Sequence, residues 1–142
     1  MSLYILDTDT LSLAQRGQPE VTRRGRAADP GQLAITVISV EEQLTGWYTL
    51  LRKTKEPAKL ARVYQHLAEN VTYLGRWPIL PFTEAAIHRA AQLRMLRLNV
   101  RKMDLAIAAI TLEHGGVLVT RNTRDFRRVP GLSLEDWSLP TP

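Results

Sequence analysis

Short apolar runs alternate along this chain with longer stretches in which apolar residues recur every three or four positions. The runs at 3–6, 33–38, 79–82 and 117–120 have strand length and are bounded by turn or capping residues, and 132–134 reads as a short fifth. Between the first two runs, 8–16 reads as a short helix stopped by Gly17 and Pro19. Residues 20–28 read as a second helix with Arg23, Arg24 and Arg26 exposed, and Asp29-Pro30-Gly31 is a turn signal. Ser39-x-x-Glu42 has the form of a capping box opening a helix whose stripe is Val40, Leu44, Trp47, Tyr48 and Leu51. Another helix starts near Pro57, with the stripe Leu60, Val63, Tyr64, Leu67, Val71 and Leu74. These two stripes suit packing on each other or on a second copy of the chain. Thr83 caps a helix expected to run to about Leu98 with Ala86, Ala90, Leu93 and Leu96 inward, and residues 104–114 are apolar nearly all round, hence a buried helix ended by Gly115 and Gly116. Strands separated by helices imply an α/β fold with a parallel sheet.

The strand ends carry the chemistry. The first run leads into Asp7-Thr8-Asp9-Thr10-Leu11-Ser12, two carboxylates among hydroxyls. Glu42 lies in the first turn after the second strand, with Glu41 beside it. Asp104 opens the buried helix, and Asn122 and Asp125 follow the fourth strand. In an open parallel sheet, ligands bind beyond the carboxyl ends of the strands. If the first, second and fourth strands are neighbours, these acids meet at one edge. Three or four carboxylates in one place do not all stay ionised without cations. Oxygen donors without His or Cys favour Mg²⁺ or Mn²⁺, ions that promote in-line displacement at phosphorus.

Each acid also has a local explanation. Asp7 or Thr8 can cap a helix, Glu42 completes a capping box, Asp104 can be an N-cap, and Asn122 with Asp125 fits a cap-like turn. His66, His88 and His114 lie in helical stretches without metal-ligand spacing, and Trp47, Tyr48 and Trp77 read as packing or dimer residues. Asp7-x-Asp9 also begins the haloacid-dehalogenase phosphatase motif, with Asp7 as nucleophile and Asp9 as general acid. Leu11 stands where that motif wants Thr or Val, and its late acidic pair is missing.

Charge sharpens the picture. Lys and Arg number 19 against 14 acids, a net charge of +5, and setting the clustered acids aside leaves the rest more strongly basic. An acidic pocket on a basic surface suits a polyanion held while cations act on it. A chain of 142 residues with 44% hydrophobic and 23% charged residues reads as one globular domain. The absence of cysteine excludes disulfides, thiol nucleophiles and Cys-ligated zinc, and fits a reducing cytosol. Asp7 interrupts the N-terminal apolar run, which argues against a signal peptide, and the run at 105–110 is too short to span a bilayer.

Four segments, in order, resemble the PIN-domain ribonucleases, specifically the VapC toxins of bacterial toxin–antitoxin pairs. They are Ile5-Leu6-Asp7-Thr8-Asp9-Thr10-Leu11, Ile38-Ser39-Val40-Glu41-Glu42-Gln43-Leu44-Thr45-Gly46, Asp104-Leu105-Ala106-Ile107-Ala108-Ala109, and Leu118-Val119-Thr120-Arg121-Asn122-Thr123-Arg124-Asp125-Phe126. The closing Pro130-Gly131-Leu132 and Asp136-Trp137 fit as well. The resemblance implies one PIN-like domain over 1–142, with a central parallel sheet of four to five strands flanked by helices. It implies Asp7, Glu42 and Asp104 as metal-binding and catalytic acids, choosing Glu42 over Glu41 because Glu42 stands four residues before Gly46. Asp9, which stands where the family usually has Asn, is a further candidate ligand. So are Asn122, where many members have Asp, and Asp125 three residues later. Arg101, Lys102, Arg121 and Arg124 are the residues expected to hold RNA. The activity implied is a Mg²⁺- or Mn²⁺-dependent endoribonuclease toxin of a type II toxin–antitoxin system, acting in the cytoplasm on structured RNA such as transfer RNA to inhibit translation. The implied partners are a second copy of the chain and a VapB-like antitoxin. The alternatives are a PIN nuclease of RNA maturation without an antitoxin and a non-catalytic RNA-binding module.

Overall fold

The computed structural model describes residues 2–140. Five strands, β1 (Tyr4–Leu6), β2 (Leu33–Thr36), β3 (Ile79–Leu80), β4 (Val117–Val119) and β5 (Ser133–Glu135), form one sheet in the order β3-β2-β1-β4-β5. Every pairing is parallel. The central strand is therefore β1, flanked by β2 and β4, the neighbourhood that the acidic constellation requires. Ile5 pairs with Ala34 on one side and Leu118 on the other, and Leu6 pairs with Val119. Asp7, Thr36 and Thr120 thus lie together at the carboxyl edge.

Because successive strand residues face opposite ways, each short apolar run supplies both faces of the sheet. Ile5, Ala34 and Leu118 join one core with Leu105, Ile107, Ile110 and Phe126, while Leu6, Ile35 and Val119 join another with Leu11, Leu13, Val21, Leu74 and Trp137. The first core is covered by α5 (Glu84–Met95), α6 (Lys102–Glu113) and α7 (Thr123–Phe126), the second by α1 (Thr8–Gln15), α2 (Pro19–Ala27) and α4 (Pro57–Leu74). The helix following β2, α3 (Val37–Lys53), sends Ile38 into the first core and Val40 against the second. Residues 104–111 of α6 are all buried, in keeping with the apolar run. Each fully buried Leu or Ile there contributes about 1.5–3 kcal/mol. Gly115 ends that helix with φ +59°, and a Cβ on Gly116 would meet the Leu3 carbonyl oxygen at 2.9 Å.

Several element ends differ from the pattern reading. The second strand stops at Thr36, and Thr36 rather than Ser39 caps α3, its hydroxyl accepting the Ser39 N–H at 3.3 Å. Both residue types cap well, but the chain turns helical as soon as Thr36 clears the sheet. Asp104 is likewise no N-cap: α6 starts at Lys102 and places it in the first turn. The helix capped by Thr83 ends at Met95, because Arg97 takes a left-handed backbone (φ 53°), and Leu96 is 55% exposed rather than inward. The third strand is shorter than expected, and the fifth is shifted by one residue.

Candidate functional site

Asp7 follows β1 directly and caps α1, so the capping and site roles fall on one side chain. Its Oδ1 accepts the Thr10 N–H at 2.9 Å, and its Oδ2 accepts the Thr120 hydroxyl at 2.6 Å. Burial pushes the Asp7 carboxyl above the ordinary carboxylate range, and the nearby Asp9 charge adds to this. The bonds from Thr120 and from the Thr10 backbone oppose it. Among the described residues no basic side chain forms an ion pair with Asp7.

The second acid is brought in by α3. Glu42 Oε1 accepts the Thr8 hydroxyl at 2.6 Å, and the same hydroxyl lies 2.9 Å from the buried Ser39 Oγ. The pair Ser39 and Glu42, spaced like a capping box, is thus used between helices rather than within one. Glu41, its neighbour, points elsewhere, lining an apolar hollow with Ile38, Phe82 and Met103. Tertiary contacts therefore separate two acids that stand side by side in the sequence.

Asp104 faces the site from the first turn of α6, where the positive end of the helix dipole favours a carboxylate. Arg101 donates from Nε to Asp104 Oδ2 and from Nη2 to Asp104 Oδ1, each at 3.1 Å, and its Nη2 lies 3.6 Å from Glu42 Oε2. The Asp104 hydrogen bond and charge, followed by the Glu42 charge, hold the guanidinium above its ordinary pKa. Thr120 thus bonds Asp7, and contacts run from Thr8, the next residue along the chain, to Glu42, Arg101 and Asp104.

The remaining candidates sit differently. Asp9 is half-exposed and takes a two-pronged bond from Arg121, Nε to Oδ2 at 2.7 Å and Nη2 to Oδ1 at 3.0 Å. Asn122 caps α7 by accepting the Asp125 N–H at 3.4 Å, and its amide donates to Asp125 Oδ2 at 3.0 Å. Asp125 is further paired with Arg128 at 3.2 Å. These two residues form the cap-like turn. Lys102 and Arg124 are exposed at the starts of α6 and α7. His66 stacks on Trp47, His88 lies near Glu84 and His114 ends α6, all outside this contact chain.

Among the described residues, no three Asp, Glu, His or Cys side chains lie close enough as they stand to hold one ion. The donor chemistry nevertheless fits a hard divalent cation. Asp7 is buried with no ion pair among the described residues, and Arg101 supplies the positive charge between Glu42 and Asp104. Pattern reading gave no part to Thr120 or to the side-chain bond of Ser39. The signal available was a hydroxyl residue next to the carboxyl end of a strand.

Known proteins resemble this chain over nearly its whole length. A family model described as PIN domain matches residues 4–132. The chain is 30% identical over 141 residues to the tRNA(fMet)-specific endonuclease VapC of Salmonella typhimurium, covering 96% of this chain and 99% of the relative. It is 26% identical to ribonuclease VapC2 of Rickettsia felis, with 95% and 98% covered. Among solved structures, DNA-bound VapBC from Salmonella typhimurium superposes with a TM-score of 0.77 at 28% identity, over 96% of this chain and 99% of that one. FitAcB from Neisseria gonorrhoeae superposes with a TM-score of 0.71 at 25% identity, over 96% and 100%. With its parallel sheet in the order β3-β2-β1-β4-β5, its acids at the carboxyl edge and these full-length similarities, the chain belongs to the PIN-domain family, in its VapC branch.

Proposed function

We propose that this protein is a Mg²⁺- or Mn²⁺-dependent endoribonuclease toxin that hydrolyses phosphodiester bonds of structured RNA, transfer RNA in particular, and so inhibits translation in the cytoplasm. The observation that carries the reading is the placement of the buried Asp7 at the carboxyl edge of β1, next in the chain to Thr8, whose hydroxyl bonds Glu42, which shares Arg101 with Asp104. The full-length similarity to proteins named as endonucleases and ribonucleases supports it.

In this reading Asp7, Glu42 and Asp104 hold the cation. When bound, such an ion supplies Lewis acidity toward a phosphodiester and its attacking water. Thr120 and the Thr10 N–H keep the Asp7 carboxylate aimed, and Thr8 does the same for Glu42. Their bonds leave each carboxylate oxygen with further acceptor capacity, because an ionised carboxylate offers about four lone-pair sites. Asp9, Asn122 and Asp125 are engaged with Arg121 and with each other, which supports a peripheral place for them. Lys102, Arg121 and Arg124 supply positive charge for the RNA backbone. Asp9 bound to Arg121 is badly placed for the proton transfer that a phosphatase reading asks of it.

Partners follow from the same reading. Solved structures similar to this chain include a toxin–antitoxin complex from Klebsiella pneumoniae, which supports a VapB-like antitoxin here. Tyr48, Tyr64 and Val71 of the α3 and α4 stripes stay exposed, which supports a homodimer. No helix among the described residues is long and apolar enough to cross a membrane.

The test is cleavage of transfer RNA with Mn²⁺ by the purified wild type, Asp7→Asn and Asp104→Asn. Loss of cleavage in both variants with an unchanged circular dichroism spectrum is expected. If wild type cuts no RNA and its expression leaves growth unaffected, the toxin reading falls. If Asp7→Asn keeps full activity, the acids are caps only.

A further inference from the structure

Arg101 differs from the other basic residues near the site in what it touches. Its guanidinium engages both oxygens of Asp104 and approaches Oε2 of Glu42, while Thr8 already occupies Oε1 of Glu42. The oxygens it covers are those a hard cation would need from these two acids. Yet its own side chain is 68% exposed, against 10% for Asp104 and 18% for Glu42. The counter-charge therefore sits on a solvent-side tether over two largely buried acids. A guanidinium and a divalent cation cannot use the same lone pairs at once. A displaced Arg101 would stand at the rim of the site, a planar fork suited to phosphate oxygens.

We propose that Arg101 is an internal counter-ion that competes with the divalent cation for Asp104 and Glu42, and that its displacement couples cation binding to RNA binding. The inference rests on reading Asp7, Glu42 and Asp104 as the cation site. Coupling of this kind is reciprocal: whatever factor the cation adds to RNA affinity, RNA adds to cation affinity.

Two binding measurements test it. Free Mn²⁺ is titrated by electron paramagnetic resonance against wild type, Arg101→Gln, Arg101→Lys and Asp104→Asn. Binding of a fluorescein-labelled 2′-O-methyl phosphorothioate RNA hairpin is followed by anisotropy with and without Mn²⁺. Removing an ion pair that must break on binding is expected to tighten Mn²⁺ roughly two- to fivefold in Arg101→Gln. Arg101→Lys, which keeps the charge without the fork, should fall between. Wild type should bind the hairpin more tightly with Mn²⁺, and Arg101→Gln should lose that increment. If Arg101→Gln binds Mn²⁺ no tighter than wild type while Asp104→Asn binds it more weakly, the counter-ion role is overturned and the site stands. If Asp104→Asn leaves Mn²⁺ affinity unchanged, the site reading itself fails, and the inference with it.

Discussion

Thr120→Val tests the support of the central acid most directly. The substitution keeps the shape of a fully buried side chain and removes one hydroxyl. That hydroxyl donates to Asp7 Oδ2 at 2.6 Å and accepts the Asn122 N–H at 2.9 Å. A hydrogen bond to a charged group contributes about 1.5–3 kcal/mol net, and the Asn122 N–H, near the surface, adds less than about 1 kcal/mol because water can replace its partner. A loss of about 2–4 kcal/mol at neutral pH follows, which for a chain of this size lowers Tm by roughly 6–15 °C.

The pH dependence separates this account from plain packing. Burial raises the Asp7 carboxyl above its usual value despite Thr120, so the folded state holds this proton more tightly than the unfolded chain. Wild-type stability from this group is therefore greatest below the ordinary Asp value. It declines as pH rises toward the raised folded value. Without the Thr120 bond the folded value rises further, so the decline is deeper and continues to higher pH. Urea unfolding at pH ~4 and pH ~8 should show a larger difference between wild type and Thr120→Val at the higher pH. Thr120→Ser, which keeps the hydroxyl, should behave nearly as wild type. An equal loss at both pH values would refute the reasoning, because it would leave the hydroxyl no bond to an ionised carboxylate.

Two other perturbations probe the frame and the rim. Gly116→Ala places a Cβ 2.9 Å from the Leu3 carbonyl oxygen, which accepts the Val117 N–H where β1 and β4 begin to pair. Calorimetry should show a loss of about 1–3 kcal/mol, and an unchanged Tm would mean the strands part freely. Asp9→Asn releases Arg121 from an exposed pair, so stability should change by less than about 1 kcal/mol. RNA binding should tighten, and its salt dependence should steepen by up to about one phosphate contact. Loss of Mn²⁺ binding in the same variant would instead make Asp9 a ligand.

Residue order alone placed the main elements and their candidate chemistry, though not all of their ends. The apolar runs marked β1, β2 and β4, the all-round apolar stretch marked α6, and acids and hydroxyls stood at their ends. The sheet order was legible only as a condition on the acids meeting, since pairing joins residues from 16 positions apart (Val117 and Ser133) to 113 (Tyr4 and Val117). The same limit explains the cap of α3. Thr36 and Ser39 are equally able to cap by local rules, and Ser39 is withdrawn because packing buries it against Thr8. Glu41 and Glu42 are adjacent acids on one helix, and the presence of Thr8 and Arg101 across the interface gives Glu42 its partners. Arg101 and Arg121 look alike in sequence as basic residues near acids. Folding gives one to Asp104 and Glu42 and the other to Asp9, because each guanidinium goes to the carboxylates its own tether reaches. Local chemistry is written in the order of residues, whereas which charge faces which is written in the closing of the sheet.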